Sequence, residues 1–428
     1  MSAQEKEVVA IGAGPSSLSL GVALEEMAPD QVAGRSVLLE QHPDVRWQRN
    51  LLLPWAESQV SFLKDLVTLR NPTSRFTFLN YLHDQGRLDE FINLGTFTPY
   101  RTEISGYLQW VAESLRLVKV EYNRHCVAIE PLRADDGSVH RWLVKLQDGS
   151  NIVTRDVVVG TGRDAFIPKE LQQLPADRVI HSTKYLEGLR KVPRNVPQRV
   201  VVIGGAQSAA ELFRSVHDDL PDCEPTIVMR SVGFGNYQTS KFINELFYPS
   251  YIDEFYRAGE EYRRQILREM RQTNYAGLAP GLLEELYRML YQQKLSGKIR
   301  SRVITSTEVV GARMDGDDVV LDLLNRKTTR VEELRCDVLL LGTGFDSRMP
   351  AMVRRLAESL GQGEVRVDRS YRCDLGPAGE AGLYLQGVNE ATHGISDSLL
   401  SVLAQRSGEI AGDILLRRAQ QPQMRRAG

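Results

Sequence analysis

Cysteine and histidine are scarce in this sequence, and neither residue type is clustered. The four cysteines among the 428 residues form no CxxC pair and are widely scattered: Cys126, Cys223, Cys336 and Cys373. The seven histidines form no HxxxH or HExxH arrangement. Chemistry that depends on a reactive dithiol is therefore excluded, and no metal site is expected. Scattered thiols favour a reduced protein of the cytoplasm.

Long apolar runs and an excess of one charge are also lacking. The longest apolar runs, such as VVVIGG and DVLLLG, have the length of a strand and fall far short of a membrane span. The opening residues, MSAQEKEVV, contain no apolar segment of a secretory signal. With 53 Lys and Arg against 55 Asp and Glu, the net charge is -2, so neither nucleic acid nor a membrane is an expected partner. The chain length predicts two or three domains.

A glycine turn between a strand and a helix stands near the start of the chain. The segment is VVAIGAGPSSLSLG, with Gly12 and Gly14 in the turn, and the next apolar strand, RSVLLE, ends on Glu40. Such glycines let the backbone approach a pyrophosphate at a helix N-terminus, and an acid after the next strand binds ribose hydroxyls. This turn predicts a site for FAD or NAD. Ser17 replaces the third glycine of the motif, which predicts looser packing of the helix on its strand.

A second turn of the same kind follows about 190 residues later in the printed sequence. It reads RVVVIGGAQSAAELFRSV, with Gly204 and Gly205 in the turn, and the next strand, PTIVMR, ends on Arg230. An arginine at this position suits a 2′-phosphate, so the turn predicts a site for NADPH. Ala206 replaces the middle glycine and puts the close approach of the pyrophosphate in question. Two such sites indicate a flavoprotein that takes hydride from NADPH, and the missing CxxC pair excludes a flavin disulfide reductase.

The apolar patterns predict an α/β fold with two Rossmann-like dinucleotide-binding domains. We predict an FAD-binding domain over 1–165 and 335–428, an NADPH-binding domain over 166–234 and 301–334, and a mostly helical insertion over 235–300. The segments VEYNRHCVAIEPLR, HRWLVKLQDGS and NIVTRDVVVGTGR alternate apolar and polar residues, as in a β-meander. The segment SLLSVLAQRSGEIAGDILLRR predicts an amphipathic helix that closes the FAD-binding domain.

Seven motifs occur in one order along nearly the whole chain: GAGPSSLSLG, QVSFLKDLVTLRNPTSRFTFLNYL, GGAQSAAE, INELFYP, TNYA, DVLLLGTGF and NEATHGISDSLLSVL. In this set the chain resembles the microbial flavin-dependent N-hydroxylating monooxygenases, the ornithine and lysine N-hydroxylases of siderophore and related biosynthesis. The segment QVSFLKDLVTLRNPTS is more similar to the ornithine branch. The resemblance implies the fold of a class B flavin monooxygenase whose helical insertion binds the substrate. It also implies hydroxylation of the N5 amine of L-ornithine with FAD, NADPH and O₂ through a C4a-hydroperoxyflavin, which supplies N–O precursors for siderophores or other natural products.

The resemblance assigns four residues to the substrate. Lys64 would hold its carboxylate, Asn244 its α-amino or carboxylate end, Asn274 would bridge substrate and nicotinamide ribose, and Ser401 would line the pocket. The sequence leaves a structural alternative open for each: a solvated charge for Lys64, helix caps or turns for the asparagines, and packing of the final helix for Ser401. Because the flavin carries the chemistry, no side chain is assigned as catalytic and no metal is implied.

The resemblance also assigns residues to the two cofactors. The residues implied to contact FAD are Gly12, Gly14, Glu40, Trp47, Gln59, Val127, Ser398, Leu399 and Leu400. The residues implied to contact NADPH are Gly205, Gln207, Ser208, Arg230, Asn274 and Tyr275.

Three segments depart from the pattern of the family. Tyr248 in NELFYP stands where a small amide is usual, and Trp55, Glu57 and Ser58 stand where GATM-like residues are common. The late motif reads GTGF in place of ATGY. Because the first two departures fall near the substrate or the flavin edge, the resemblance specifies the reaction class more firmly than the substrate.

Other functions compete with this prediction. Lysine N6-hydroxylation and diamine N-hydroxylation belong to the same reaction class. A Baeyer–Villiger enzyme would carry an FxGxxxHxxxW-type segment, of which LPADRVIHSTKY keeps only His181 and Tyr185. A catalytically silent flavin-binding protein would need neither Lys64 nor Arg230. A homo-oligomer is compatible with the sequence, which does not indicate the number of copies.

Overall fold

The computed structural model describes residues 4–194, 196–237, 240–275, 277–363, 365–374 and 379–427, except the side chains of residues 272–274 and 421–427. The strands, in chain order, are β1 (Gln4–Ile11), β2 (Ser36–Leu39), β3 (Lys119–Glu121), β4 (Cys126–Arg133), β5 (Val139–Leu146), β6 (Asn151–Val159), β7 (Val179–His181), β8 (Arg199–Ile203), β9 (Glu224–Val228), β10 (Gly235–Asn236), β11 (Gly277–Leu278), β12 (Arg302–Ile304), β13 (Thr307–Asp315), β14 (Asp318–Asn325), β15 (Val331–Cys336), β16 (Val338–Leu341) and β17 (Gly382–Leu385). The α-helices are α1 (Pro15–Met27), α2 (Phe78–Asp84), α3 (Leu88–Leu94), α4 (Arg101–Ser114), α5 (Tyr185–Leu189), α6 (Gln207–Asp219), α7 (Lys241–Asn244), α8 (Ile252–Arg257), α9 (Glu260–Tyr275), α10 (Pro280–Leu295), α11 (Ala351–Ser359), α12 (Glu390–His393) and α13 (Leu403–Ala427).

The first sheet combines a parallel core with an antiparallel meander. Its strands lie in the order β3-β2-β1-β6-β5-β4, and β17 also pairs with β6. The β1–β2, β2–β3, β1–β6 and β6–β17 pairs are parallel, whereas β4–β5 and β5–β6 are antiparallel. Residues 151–154 of β6 pair with β5, and residues 156–159 pair with β17. The meander predicted from the alternating residues is confirmed.

The second sheet is parallel throughout, with the order β12-β9-β8-β16-β7. An antiparallel sheet of β13, β14 and β15 precedes β16 in the chain. One sheet with a parallel core and one wholly parallel sheet, each with a glycine turn after a central strand, confirm the predicted pair of Rossmann-like units. The boundary predicted at residue 335 is misplaced, because β16 lies in the second sheet between β8 and β7. A run such as VLLL is buried in either sheet, so its pattern does not reveal its partners.

The final helix closes the first domain, as its amphipathic pattern predicts. In α13, Leu403, Ile410 and Ala411 are buried in one apolar cluster with Leu18 and Leu20 of α1. The two helices therefore share one core on the first sheet.

The insertion between β9 and β12 is mostly helical and packs against the second domain. It contains helices α7 to α10 and the short parallel pair β10–β11. Leu282 and Leu286 of α10 are buried with Leu212 and Phe213 of α6. Residues 51–56, which come from the first domain, enter the same apolar cluster through Leu51, Leu53 and Ala56. The two domains therefore meet through buried apolar side chains.

Candidate cofactor and substrate sites

The first glycine turn leaves open space where α1 begins. Gly12 has a φ of +84°, and a Cβ added there would lie 3.0 Å from the carbonyl oxygen of Gly160. A Cβ added at Gly14 would meet no atom within 4 Å. The carboxylate of Glu40 accepts a hydrogen bond from the backbone N–H of Ala13 (3.1 Å). The turn thus places a helix N-terminus and an acid side by side, as a dinucleotide site requires.

Buried polar atoms without partners lie beside this turn. Ser17 is fully buried, and its Oγ has no hydrogen-bond partner among the described residues. Gln386, which follows β17, is 1% exposed, and within the same part of the chain neither the nitrogen nor the oxygen of its amide has a partner. A Cβ added at Gly160 would lie 2.6 Å from Ser17 Oγ and 3.9 Å from Gln386 Nε2. Since buried polar groups are normally paired, these groups fit a polar ligand such as FAD at the turn.

Looser packing of α1 on its strand stays a prediction. Ser17 itself lies close to the backbone after β6, because a Cβ added at Gly160 would lie 2.6 Å from its Oγ. The motif at residues 12–17 does not reveal this contact, since Gly160 lies far along the chain.

The other residues predicted for FAD differ in their surroundings. Trp47 is half-buried and its backbone N–H donates to Ser105 Oγ (3.2 Å). Gln59 and Val127 are exposed, and among the described residues no hydrogen bond or ring contact joins either to the glycine turn. The residues Ser398, Leu399 and Leu400 are half-buried in the 3₁₀ turns before α13.

The second glycine turn is tighter than the first. Gly204 has a φ of +140°, and a Cβ added there would lie 2.4 Å from the carbonyl oxygen of Gly342. A Cβ at Gly342 would lie 2.4 Å from the Cα of Ala209 in α6. Helix α6 therefore packs closely despite Ala206. Residues 204–208, which include Gly205 and Ser208, remain half-buried and accessible to a ligand.

The guanidinium of Arg230, beside this turn, is exposed and only weakly paired, so it can bind an anion. Its side chain is 73% exposed, and its recorded ion pair, with Glu308, is long at 3.9 Å. Ser231 Oγ lies 2.9 Å from the position of a Cβ on Gly205, which places the end of β9 against the turn. A weakly engaged guanidinium at this position fits the 2′-phosphate of NADPH.

Gln207 has a different environment from the one predicted for a cofactor ligand. Its Nε2 donates to Glu211 Oε1 (2.8 Å), and its Oε1 accepts from the backbone N–H of Ala279 (2.9 Å). Both ends of the amide are bound within the protein. Contact of Gln207 with NADPH stays a prediction, whereas its role in supporting α6 is visible.

Lys64 is a half-buried cation without a carboxylate partner in the described part of the chain. It ends the 3₁₀ turn Phe62–Lys64, and its Nζ lies 4.1 Å from the ring centroid of Tyr248. Burial lowers the pKa of its ammonium. The carboxylate of neighbouring Asp65 is occupied by the backbone N–H groups of Val67 (2.9 Å) and Phe78 (2.8 Å). The ammonium therefore lacks the counter-ion that a buried charge normally has.

The other predicted substrate residues lie on three segments, namely α7, the 3₁₀ turn Leu400–Val402 and α9. Asn244 ends α7, and its side chain makes no capping hydrogen bond with the 3₁₀ turn that follows. Tyr248, four residues later, brings this segment to Lys64. Ser401 is 3% exposed, and the preceding Leu400 lines a cavity of about 20 Å³ with Lys64. Asn274 belongs to α9, but its side chain lies outside the described residues.

Tyr275 connects the helical insertion to the segment of Ser398, which is predicted to contact FAD. Its hydroxyl donates to the Glu390 carboxylate and lies 2.9 Å from Ser398 Oγ. Glu390 also pairs with Arg163 at 3.3 Å. Burial and the Glu390 charge raise the pKa of the Tyr275 phenol. The sequence does not single out Glu390, although this residue lies in the motif NEATHG, nor does it single out Arg163 or Gln386.

The two residues shared with a Baeyer–Villiger segment have roles within the fold. His181 Nε2 lies 3.0 Å from the Gly344 carbonyl oxygen, and Thr183 donates its backbone N–H to Nδ1 (3.2 Å). Burial lowers the pKa of the imidazole. The Tyr185 hydroxyl donates to Asp219 (2.7 Å).

Several features bear on other kinds of site. All four cysteines are buried and unpaired, and burial raises the pKa of the Cys126 and Cys336 thiols to about 12. Among the described residues, His, Cys, Asp and Glu side chains form no group of three that could hold a metal ion. Of the helices in this part of the chain, none combines the length and hydropathy that a bilayer span requires.

Comparison with known proteins gives consistent matches over most of the chain. The family described as L-lysine 6-monooxygenase/L-ornithine 5-monooxygenase matches residues 4–347. An L-ornithine N(5)-monooxygenase of Pseudomonas aeruginosa is 37% identical over 415 residues, which cover 95% of this chain and 93% of the relative. The solved ornithine hydroxylase PvdA of Pseudomonas aeruginosa has a TM-score of 0.89 at 36% identity, covering 96% of this chain and 99% of its own. The Kutzneria sp. 744 ornithine N-hydroxylase, described as KtzI-FADred-NADP+-L-orn, has a TM-score of 0.89 at 35% identity, covering 97% of this chain and 100% of its own.

Proposed function

The chain belongs to the L-lysine 6-monooxygenase/L-ornithine 5-monooxygenase family, and from this premise we propose that it hydroxylates the N5 amine of L-ornithine with FAD, NADPH and O₂. The reaction converts the amine, O₂, NADPH and a proton into the hydroxylamine, water and NADP⁺. Bound FAD, once reduced by NADPH, supplies the activated oxygen. The hydroxylamine provides the N–O group of a siderophore or another natural product. The four scattered, unpaired thiols support a location in the cytoplasm.

The residues of the chain bind and orient the cofactors. Gly12, Gly14 and Glu40 fit the pyrophosphate and ribose of FAD, with the unpaired Gln386 amide beside them. The turn with Gly205 fits the NADPH pyrophosphate, and Arg230 fits its 2′-phosphate.

The environment of Lys64 is the observation that favours an amino acid as substrate. A half-buried ammonium without a carboxylate partner among the described residues is completed by a ligand that brings a carboxylate. A diamine brings no such group. With the carboxylate held by Lys64 and Asn244, the distal nitrogen of the substrate would extend past Lys64 toward Leu400, which lies close to it and is proposed to contact the flavin. The neutral form of that amine is the nucleophile, so a water-poor site that disfavours the ammonium form assists the reaction.

Product formed per NADPH consumed tests the proposal with L-ornithine, L-lysine and putrescine side by side. Ornithine should couple best, because one extra methylene moves the distal nitrogen by about 1.3 Å and lowers productive oxygenation by about 10²-fold in a rigid site. Equal or better coupling with lysine would instead support the L-lysine 6-monooxygenase activity that the family description also includes.

The variant Lys64→Ala tests the carboxylate contact. It should raise the KM for ornithine by roughly 10-fold or more, since a charge-assisted contact is worth about 1.5–3 kcal/mol, and NADPH oxidation without ornithine should persist. Lys169→Ala is the matched control, because the Lys169 side chain is 88% exposed. A wild type that hydroxylates putrescine as well as ornithine would show that Lys64 has another role.

A further inference from the structure

Arg101 and Glu211 form a buried ion pair between the two dinucleotide-binding domains. Arg101 begins α4 and Glu211 lies in α6, 110 residues further along the chain. Arg101 Nη2 lies 2.5 Å from Glu211 Oε1, and Nη1 lies 3.0 Å from Oε2. The residues are 5% and 1% exposed. Two parallel hydrogen bonds from a planar guanidinium fix orientation as well as distance, which a single contact would not do.

This pair is the centre of a hydrogen-bonded chain that joins three parts of the molecule. Arg101 Nη1 also donates to the Leu51 carbonyl oxygen (3.1 Å) in the first domain. Glu211 Oε1 accepts from Gln207 Nε2 (2.8 Å) in the second domain. Gln207 Oε1 accepts from the backbone N–H of Ala279 (2.9 Å) in the insertion.

This chain of hydrogen bonds connects segments that lie beside the proposed cofactor sites. Gln207 is the first residue of α6, and a dinucleotide pyrophosphate binds at such a helix N-terminus. Ala279 precedes α10 and follows the end of α9, where Tyr275 contacts Ser398 on the flavin side. Leu51 and Ala56 are buried in one apolar cluster with Ala209, so water has little access to the pair.

We propose that Arg101, Glu211 and Gln207 are positioning residues that set the orientation of the NADPH-binding domain for hydride transfer to FAD. They act through α6 and α10 and not by contact with the nicotinamide. The step they serve is NADPH + H⁺ + FAD → NADP⁺ + FADH₂. The inference rests on the proposed function only in requiring that NADPH reduces the bound FAD.

Rapid mixing of NADPH with the oxidised holoenzyme, without O₂ and without ornithine, separates the limiting rate of flavin reduction from the Kd of NADPH. In Arg101→Lys and Glu211→Gln the limiting rate should fall roughly 10-fold or more, because a small displacement of the donor strongly slows transfer. The Kd should change less than about 3-fold, since Arg230 and the glycine turn move together as one unit. Hydrogen exchange in the absence of NADPH should become faster at residues 204–211 and 277–280.

Arg417→Lys is the matched control. Arg417 pairs with Asp156 at 3.0 Å, and both residues lie within the first domain, with side chains 12% and 1% exposed. This variant should lose thermal stability while the reduction rate and the exchange at residues 204–211 stay as in the wild type. If the single variants do not fold, Arg101→Met/Glu211→Met removes both charges while keeping apolar volume, and should still reduce FAD slowly.

Two results would overturn the proposal: a wild-type reduction rate in the folded variants, or a raised Kd of NADPH with an unchanged limiting rate, which would indicate direct contact. A wild type that NADPH reduces but that does not hydroxylate ornithine would refute the proposed substrate and leave this test intact. A wild type that NADPH does not reduce would overturn both.

Discussion

The two glycine turns have the same backbone plan, but the residues that end the following strands are held differently. Glu40 accepts hydrogen bonds from Ala13 in the turn (3.1 Å) and from the backbone of His42 (3.0 Å). Arg230 has a side chain that is 73% exposed, and its recorded ion pair is 3.9 Å long. Two hydrogen bonds hold the acid within the fold, whereas the arginine side chain is only weakly held. We therefore expect the first site to be organised by the fold and Arg230 to become ordered when NADPH binds.

The steric room around the two turns ranks the two sites in the opposite order, because the backbone is packed more tightly around the second turn. A Cβ on Gly342, which faces the second turn, would lie 2.4 Å from the Ala209 backbone. A Cβ on Gly160, which faces the first, would meet the Ser17 hydroxyl at 2.6 Å, and its nearest recorded backbone atom lies at 3.7 Å. Backbone cannot rotate away as a hydroxyl can. The second site therefore depends more on its scaffold and less on its preformed side chain.

Of the substitutions that test this comparison, Gly342→Ala should have the largest effect on stability and on flavin reduction. Helix α6 must move to admit the methyl group, which should cost about 1–3 kcal/mol of stability. The displaced helix N-terminus should slow flavin reduction by NADPH about 10²-fold. FAD content should be retained, as measured by the flavin absorbance of purified protein.

Gly160→Ala and Gly281→Ala are the controls for this prediction. The first should produce a smaller loss, because only the Ser17 side chain must rotate. The second should change little, since a Cβ on Gly281 would meet no atom within 4 Å. Equal damage at residues 160 and 342 would contradict the difference in tightness.

The second prediction concerns the strand-end residues. Arg230→Ala should raise the KM for NADPH by roughly 10-fold, since a charge-assisted contact contributes about 1.5–3 kcal/mol, and should leave NADH kinetics nearly unchanged. Glu40→Ala should instead weaken FAD retention, because Ala13 loses its acceptor and the ribose its partner. Steady-state kinetics with both nicotinamide cofactors and flavin content during dialysis provide the measurements. Equal losses with NADPH and NADH would refute the assignment of Arg230.

The sequence predicts what is encoded locally in this fold. The strands, the glycine turns and the contrasting charges of Glu40 and Arg230 follow from short segments. The placement of β16 does not, because strand pairing joins residues far apart in the chain. The Arg101–Glu211 pair is hidden for the same reason, at a separation of 110 residues. Gln386 was missed because one glutamine carries no pattern, and only its burial without a partner marks it.

The smallest expected effect is a change in the free energy of unfolding when a buried serine is replaced. It tests whether the serine hydroxyl binds a ligand or is only buried. Ser17 in α1 and Ser215 in α6 are 0% and 2% exposed, and neither Oγ has a hydrogen-bond partner in the part of the chain that the structure describes. Replacing either with Ala removes an unpaired hydroxyl and should stabilise the FAD-free protein by up to about 1 kcal/mol. With FAD bound, Ser215→Ala should keep that gain, whereas Ser17→Ala should lose it, because the Ser17 hydroxyl then has FAD as a partner. Denaturant unfolding of the FAD-free and FAD-bound forms measures the four differences. The same gain for Ser17→Ala in both forms would show that this hydroxyl does not contact FAD, and the first turn would then bind its cofactor through its backbone, Glu40 and the Gln386 amide.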